Sequence, residues 1–365
     1  MRIVVLGLSL TSSWGNGHAT TYRGLLRTLA RSGHDILFLE RDQPWYADNR
    51  DMPQPDFCET SIYHSLAELK GNFAREIAHA DFVMLGSFVP EGIAIARWIT
   101  RIADGVTAFY DIDTPVTLSN LARGDCDYIS ADVIPVFDLY LSFTGGPTLR
   151  RIERQYGAQR ARALYCSVDP DAYFPEPPAK KWLLGYLGTY SDDRQPALRR
   201  LLMDVAETMP GEHFVVAGPQ YPEQISWPAN VQRTQHLEPA LHRSFYNSQR
   251  FTLNITRAAM VTAGWSPSVR LFEAAACAVP IISDEWPGLP DFFAPGREIF
   301  TASSGDDVLA ILRSTPAETA AAVGHRARER VLADHTAAHR AAELEQMIAC
   351  VAAGDVARKL EGVPS

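Results

Sequence analysis

Strand and helix signals alternate along this chain twice over, once on each side of a proline-rich break, and that pattern admits few folds. In the first series, strands are expected at Arg2–Leu8, Asp35–Leu39, Phe82–Leu85, Thr107–Tyr110, Leu139–Phe143 and Ala163–Cys166. Helices fall between them near 18–31, 65–79, 90–103 and 146–157, with Gly33 as the stop signal of the first. Strands joined through helices imply right-handed crossovers and a parallel, doubly wound α/β sheet. The run Asp169-Pro170-Asp171-Ala172-Tyr173-Phe174-Pro175-Glu176-Pro177-Pro178 then reads as an interdomain connection. Beyond it the alternation restarts, with strands at Leu183–Leu187, His213–Ala217, Val231–Gln235, Phe251–Ile255, Val279–Ser283 and Glu298–Thr301. Helices near 195–208, 239–248, 267–277 and 306–313 separate these strands, and from about Pro316 the sequence is helical only. A chain of 365 residues with 46% hydrophobic content can bury two cores, drawn here as 1–175 and 176–365. Doubly wound sheets bind ligands outside the carboxyl ends of their strands, so the chemistry is sought there.

The formal charge of −9 argues against nucleic-acid binding by bulk electrostatics, and no basic run suggests an anionic membrane patch. Five scattered cysteines without CxxC spacing read as reduced, mostly structural thiols of a cytoplasmic protein. No segment approaches the length of a transmembrane helix, and Ile3–Leu10 reads as a first core strand rather than a leader. His335 and His339, four apart, have metal-ligand spacing. With no third ligand and no HExxH they are read as solvent-facing, and no metal is assigned.

The most informative stretch is Gly264-Trp265-Ser266-Pro267-Ser268-Val269-Arg270-Leu271-Phe272-Glu273, followed by Ala274–Ala278 and the β-branched run Val279–Ile282. Ser266 is a suitable N-cap and Pro267 a suitable first helical residue, with Leu271, Phe272, Ala275 and Ala276 as the buried stripe. A helix N-terminus offers free N–H groups and partial positive charge to an anion. Here it also carries a cation, Arg270, and one turn later an acid, Glu273. Phosphate held by Arg270 and the amides near Ser268 and Val269, with hydroxyls held by Glu273, suits a sugar nucleotide.

This segment resembles the donor-binding motif of GT-B glycosyltransferases, and most of all their CgeB-like (spore-maturation-protein-like) group. Leu253-Asn254-Ile255-Thr256-Arg257 upstream and Trp286-Pro287-Gly288-Leu289-Pro290-Asp291-Phe292-Phe293 downstream are similar to the same group. The resemblance implies two Rossmann-like domains facing a central cleft, with the terminal helix crossing back to the first domain. It also implies a metal-independent transfer of a hexosyl or related sugar to an acceptor held by the N-terminal domain. The donor implied is a nucleoside-diphosphate sugar, a UDP-sugar first among them, as co-substrate with no cofactor. In the related retaining family two glutamates stand eight apart around this helix start. The second, a ribose ligand, falls on Glu273, whereas Trp265 occupies the place of the first, which touches the transferred sugar. The resemblance therefore carries nucleotide binding but not the sugar or the stereochemistry.

Three further places enter the expected site. The loop Ser12-Ser13-Trp14-Gly15-Asn16-Gly17-His18 departs from the dinucleotide fingerprint at Thr20. It resembles the glycine-rich first loop of GT-B enzymes, where Gly17 would approach the donor. His18, opening the first helix, is the candidate general base for an acceptor hydroxyl. Asp111-Ile112-Asp113 could hold a metal, but Asp113 is preferred as the residue that orients His18. Gly188, Thr189 and Arg194, after the first strand of the second series, are placed for the diphosphate, whose charge grows as it leaves. Ala217–Tyr221 is a nucleobase-side loop that does not specify the base. A nucleotide-sugar epimerase and a non-catalytic sugar-nucleotide binder are the competing functions. The first would need carboxylates where Trp265 stands.

Overall fold

The structure, a computed structural model, describes residues 1–15, 17–177 and 179–360. It divides into two compact units, Met1–Tyr165 with the chain from Ala337, and Cys166–Thr336.

The first unit is a seven-stranded parallel sheet in the order β3-β2-β1-β4-β5-β6-β7. Its strands are β1 (Arg2–Gly7), β2 (Asp35–Arg41), β3 (Glu59–Tyr63), β4 (Phe82–Gly86), β5 (Val106–Asp111), β6 (Leu139–Ser142) and β7 (Ala161–Ala163). The last of these lies two residues earlier than expected and is short. β3 was not anticipated because it is an edge strand with only Tyr63 buried, so its sequence carries no hydrophobic run. The helix Thr114–Arg123 was also missed, because Asp-Ile-Asp-Thr-Pro reads as a turn although Pro115 is well placed in a first helical turn.

The second unit repeats the winding as a six-stranded parallel sheet, β10-β9-β8-β11-β12-β13. Its strands are β8 (Trp182–Leu187), β9 (Phe214–Ala217), β10 (Val231–Thr234), β11 (Gln249–Asn254), β12 (Ile281–Ser283) and β13 (Phe300–Thr301). In each unit the winding reverses once, between β1 and β4 and between β8 and β11. Helices from the two halves diverge there and leave a crevice at the strands' carboxyl ends.

The boundary falls at 165/166 rather than 175/176. The proline-rich run is part of the second unit, because Tyr173 is buried there against Tyr246. Pro178, the last residue of that run, lies outside the described residues. The helix Ala337–Leu360 packs on the first unit instead. Ala337, Ala341, Leu344, Ile348 and Val351, spaced four and three apart, form its buried stripe. His34 Nε2 meets Glu345 Oε1 at 2.8 Å on that contact.

His335 contradicts its solvent-facing assignment. It caps the helix Ala317–Asp334, is buried, and stacks 4.8 Å from the Phe272 ring with Phe292 and Phe293 close by. The helix break at 335–336 separates it from His339, which erases the i, i+4 geometry. Among the described residues the five cysteines form no disulfide. Among the described residues no helix is long and apolar enough to cross a membrane.

Candidate active site

In the first unit, the loop after β1 is anchored from below. Glu40, at the end of β2 and fully buried, accepts hydrogen bonds from Leu10 N at 2.7 Å, Thr11 N at 3.0 Å and Thr11 Oγ1 at 2.7 Å. Buried carboxylates persist when their oxygens are satisfied in this way. Arg23 then grips Asp51 through both terminal nitrogens, at 2.8 and 2.9 Å, and donates from Nε to Leu10 O. That charge-assisted pair holds the Asp51 carboxyl down at about 2 despite partial burial.

The loop ends at Gly17, whose carbonyl receives Thr21 N, and at His18, the first residue of the helix His18–Arg31. His18 is 6% exposed, and its Nδ1 has no hydrogen-bond partner among the described residues. Its Nε2 stands 3.9 Å from Asp113 Oδ2, ion-pair range rather than hydrogen-bond range. The fold thus brings together the two residues expected on the acceptor side. Sequence reasoning missed Phe88, after β4, whose ring meets His18 edge-on at 5.6 Å and lies 4.5 Å from Tyr128. Its φ of 62° is rare for a bulky residue.

Asp111 plays a different part from Asp113. It is fully buried, and Thr117 and Tyr140 donate to its two oxygens. Burial raises its carboxyl to about 7. The Asp-x-Asp pair therefore does not present two open carboxylates, and no three His, Cys, Asp or Glu among the described residues could hold a metal ion. A folded-state value above the unfolded one favours folding while Asp111 is protonated, and that advantage is lost as pH rises through about 7. Wild-type protein is expected to lose melting temperature between about pH 4 and 7 in calorimetry and to level off above that, whereas Asp111→Asn keeps a flatter profile. Equal slopes would show that another group controls the pH dependence.

In the second unit, Arg270 organises the switch point. It lies in the first turn of the helix Val269–Ala276, is 9% exposed, and donates from Nε to Leu187 O at the end of β8. Its Nη1 donates at 2.8 Å to Asn254 Oδ1, and its guanidinium carbon lies 4.7 Å over the Tyr186 ring. Asn254, the last residue of β11 and fully buried, also accepts from Ser268 Oγ at 2.9 Å. Its amide donates to Ser283 Oγ and Thr256 Oγ1. Gly188 leaves room for both side chains, since a Cβ there would lie 2.7 Å from the Tyr186 hydroxyl and 2.8 Å from an Arg270 nitrogen and one of them would have to shift.

The helix begins later than expected. Ser268, not Ser266, is the N-cap residue, and its hydroxyl is spent on Asn254 rather than on a cap. Trp265 N to Pro287 O at 2.7 Å and Cys166 Sγ to Pro267 O at 3.3 Å hold the preceding loop and delay the first turn. Val269 opens the helix, so its amide belongs to the free N-terminal set. Trp265 itself sits at φ 44°, and its indole nitrogen donates to Asp291.

Glu273 is 5% exposed and accepts from the Tyr246 hydroxyl at 2.9 Å. Burial, with this carboxylate next, pushes the Tyr246 phenol far up, so it remains a neutral donor. Burial beside Glu273 also lifts the Cys277 thiol to about 12, which leaves it unreactive at neutral pH. Arg194 closes the loop after β8 through a 2.6 Å bond to Thr189 O, and its Nε is buried without a partner among the described residues.

Beyond β9 lies a cleft of about 420 Å³ lined by Gly218, Gln220, Tyr221, Trp227 and Arg233 among others. The Arg233 guanidinium lies 4.1 Å from the Tyr221 ring centroid and 4.6 Å from that of Trp227. Sequence reading found the loop but not Arg233 or Trp227, which arrive from later in the chain.

Residues 194–346 match the family model described as "Glycosyl transferase-like". No curated protein sequence matches the chain. Among solved structures, sucrose-phosphate synthase from Thermosynechococcus elongatus is similar at a TM-score of 0.72 and 13% identity, covering 97% of this chain and 100% of that one. Anabaena HepE in complex with UDP-glucose is similar at 0.69 and 13%, covering 96% and 100%. An alpha-glucosyltransferase in complex with UDP-glucose and DNA containing an abasic site is similar at 0.68 and 11%, covering 96% and 99%. The chain therefore has the GT-B fold, two parallel Rossmann-like domains, and its residues 194–346 are similar to the glycosyl transferase-like family.

Proposed function

We propose that the protein is a CgeB-like GT-B glycosyltransferase that moves a hexosyl or related sugar from a UDP-sugar to an acceptor hydroxyl without a metal ion. The observation that carries this reading is Arg270, fixed by Leu187 and Asn254 at the N-terminus of its helix. A fixed cation beside free amides is ready for a diphosphate without reorganisation. Gly188, Thr189, Arg194, Ser268 and Val269 complete the phosphate side, and Glu273 serves the ribose. The cleft at Tyr221 and Arg233 suits a nucleobase, and the UDP-glucose bound in two similar structures supports uracil there. In the transfer, the bond from anomeric carbon to diphosphate oxygen breaks and a bond to the acceptor oxygen forms. His18, aligned by Asp113, takes the acceptor's proton, while Arg270 and Arg194 offset the charge gained by the diphosphate.

UDP is expected to raise the melting temperature. At a hundredfold excess over its dissociation constant the linkage is worth about 2.7 kcal/mol. A thermal-shift series with UDP, GDP, ADP and TDP that gives no response to any of them removes the proposal. Turnover is also expected to survive EDTA, since Asp111 is engaged by Thr117 and Tyr140. Loss on chelation with recovery in Mn²⁺ would restore the metal reading of Asp111 and Asp113.

A further inference from the structure

Five large hydrophobic side chains are exposed among the described residues, and two of them, Trp14 at 38% and Trp45 at 51%, stand on the segments that follow β1 and β2 at the carboxyl edge of the first sheet, Trp45 in the one-turn helix Pro44–Ala47. Exposed apolar residues scattered singly need no explanation. These two sit on segments that hydrogen bonds stitch together. Ser12 Oγ donates to Asn49 O at 2.7 Å, Ser13 N to Asp51 Oδ1 at 2.9 Å, and Met52 N to Thr11 O at 3.0 Å. With Glu40 and the Arg23–Asp51 pair beneath, both loops are fixed, so the indoles are presented rather than left over. The Trp14 loop leads directly into His18, whose buried Nδ1 lacks a hydrogen-bond partner among the described residues, and Phe88 lies against that imidazole.

The surrounding charge selects the ligand. Residues 42–56 contain four aspartates and one arginine. Arg50 is paired with Asp42 at 2.6 Å and Arg23 with Asp51. A polyanion, whether nucleic acid or an anionic bilayer, would meet net negative charge and no basic track. A pyranose ring fits better. Its C–H face needs a flat apolar plate, and its hydroxyl edge needs acceptors such as the exposed Asp48 and Asn49.

We infer that the loops after β1 and β2 form a rim that binds the pyranose rings of a glycan acceptor, with Trp14 and Trp45 as stacking plates. The inference rests on the glycosyl-transfer reading for its term "acceptor", but binding at the rim is measurable without turnover. The full chain is titrated with a panel of malto-, cello-, chito- and manno-hexaoses, read by tryptophan fluorescence and calorimetry. The same is done with Trp14→Ala and Trp45→Ala, and UDP-induced thermal shift is recorded for each protein. The expected result is saturable binding of at least one saccharide, weakened roughly tenfold or more in each variant, with the UDP shift unchanged. No saccharide binding anywhere in the panel overturns the inference, as does wild-type affinity in both variants. Tryptophan-dependent binding of a short single-stranded oligodeoxynucleotide, or of phosphatidylglycerol-containing vesicles, also overturns it. A UDP shift without saccharide binding sinks the rim and leaves the transferase reading standing. Saccharide binding without any nucleotide response does the reverse.

Discussion

His18→Ala is expected to lower turnover roughly 10²–10⁴-fold while leaving UDP affinity nearly unchanged, the range for loss of a positioned general base. The split follows from the structure: His18 and its neighbours Asp113 and Phe88 all belong to the first unit, whereas Arg270, Glu273 and the Tyr221 cleft belong to the second. A variant measured as folded by circular dichroism that keeps full turnover places the base elsewhere. Asp113→Asn, which keeps shape but removes charge, is expected to give a smaller loss of the same kind. The 3.9 Å separation leaves Asp113 as an aligning charge rather than a tight hydrogen-bond partner.

Arg270→Ala is expected to reduce both UDP affinity and turnover, with turnover falling by roughly 10²–10³, as for removal of one preorganised group facing developing charge. Arg270→Lys should recover little. A lysine ammonium keeps the charge but cannot hold Leu187 O and Asn254 Oδ1 while offering a planar face to Tyr186. The lysine variant also separates function from folding, because it leaves a cation in the same environment. Wild-type affinity for UDP in Arg270→Lys, by calorimetry, would show that only charge matters there. Wild-type affinity in a folded Arg270→Ala would show that the phosphate site lies elsewhere.

Among the described residues, four bulky or long ones sit in the left-handed region at carboxyl-edge loops: Phe88 at φ 62°, Glu91 at 58°, Gln220 at 68° and Trp265 at 44°. Each such placement costs about 1–3 kcal/mol and persists only where the surroundings enforce it. For Trp265 the enforcing contacts are visible. Pro287 O accepts its amide, Asp291 its indole nitrogen, and Gly288 stays bare, since a Cβ there would lie 2.6 Å from the ring. The residue standing where a glutamate was expected is thus part of a rigid loop with its own architecture.

The sequence by itself determined the double α/β alternation, the helix bearing Arg270 and Glu273, and the candidacy of His18. Those signals are local: β-branched runs for buried parallel strands, a 3.6-residue stripe, and glycine or proline at the ends of elements. Tertiary structure decided the rest, because the partners are distant in the chain. Glu40 acts on the loop 29–30 residues before it, and Asn254 joins Ser268, Arg270 and Ser283. Tyr246 reaches Glu273 from another helix. The same holds for corrections to the sequence reading. Tyr173 draws the proline-rich run into the second unit, and an aromatic pocket around Phe272 buries His335. A side chain's burial and charge partner depend on which strand ends the topology brings side by side, and no local pattern encodes that.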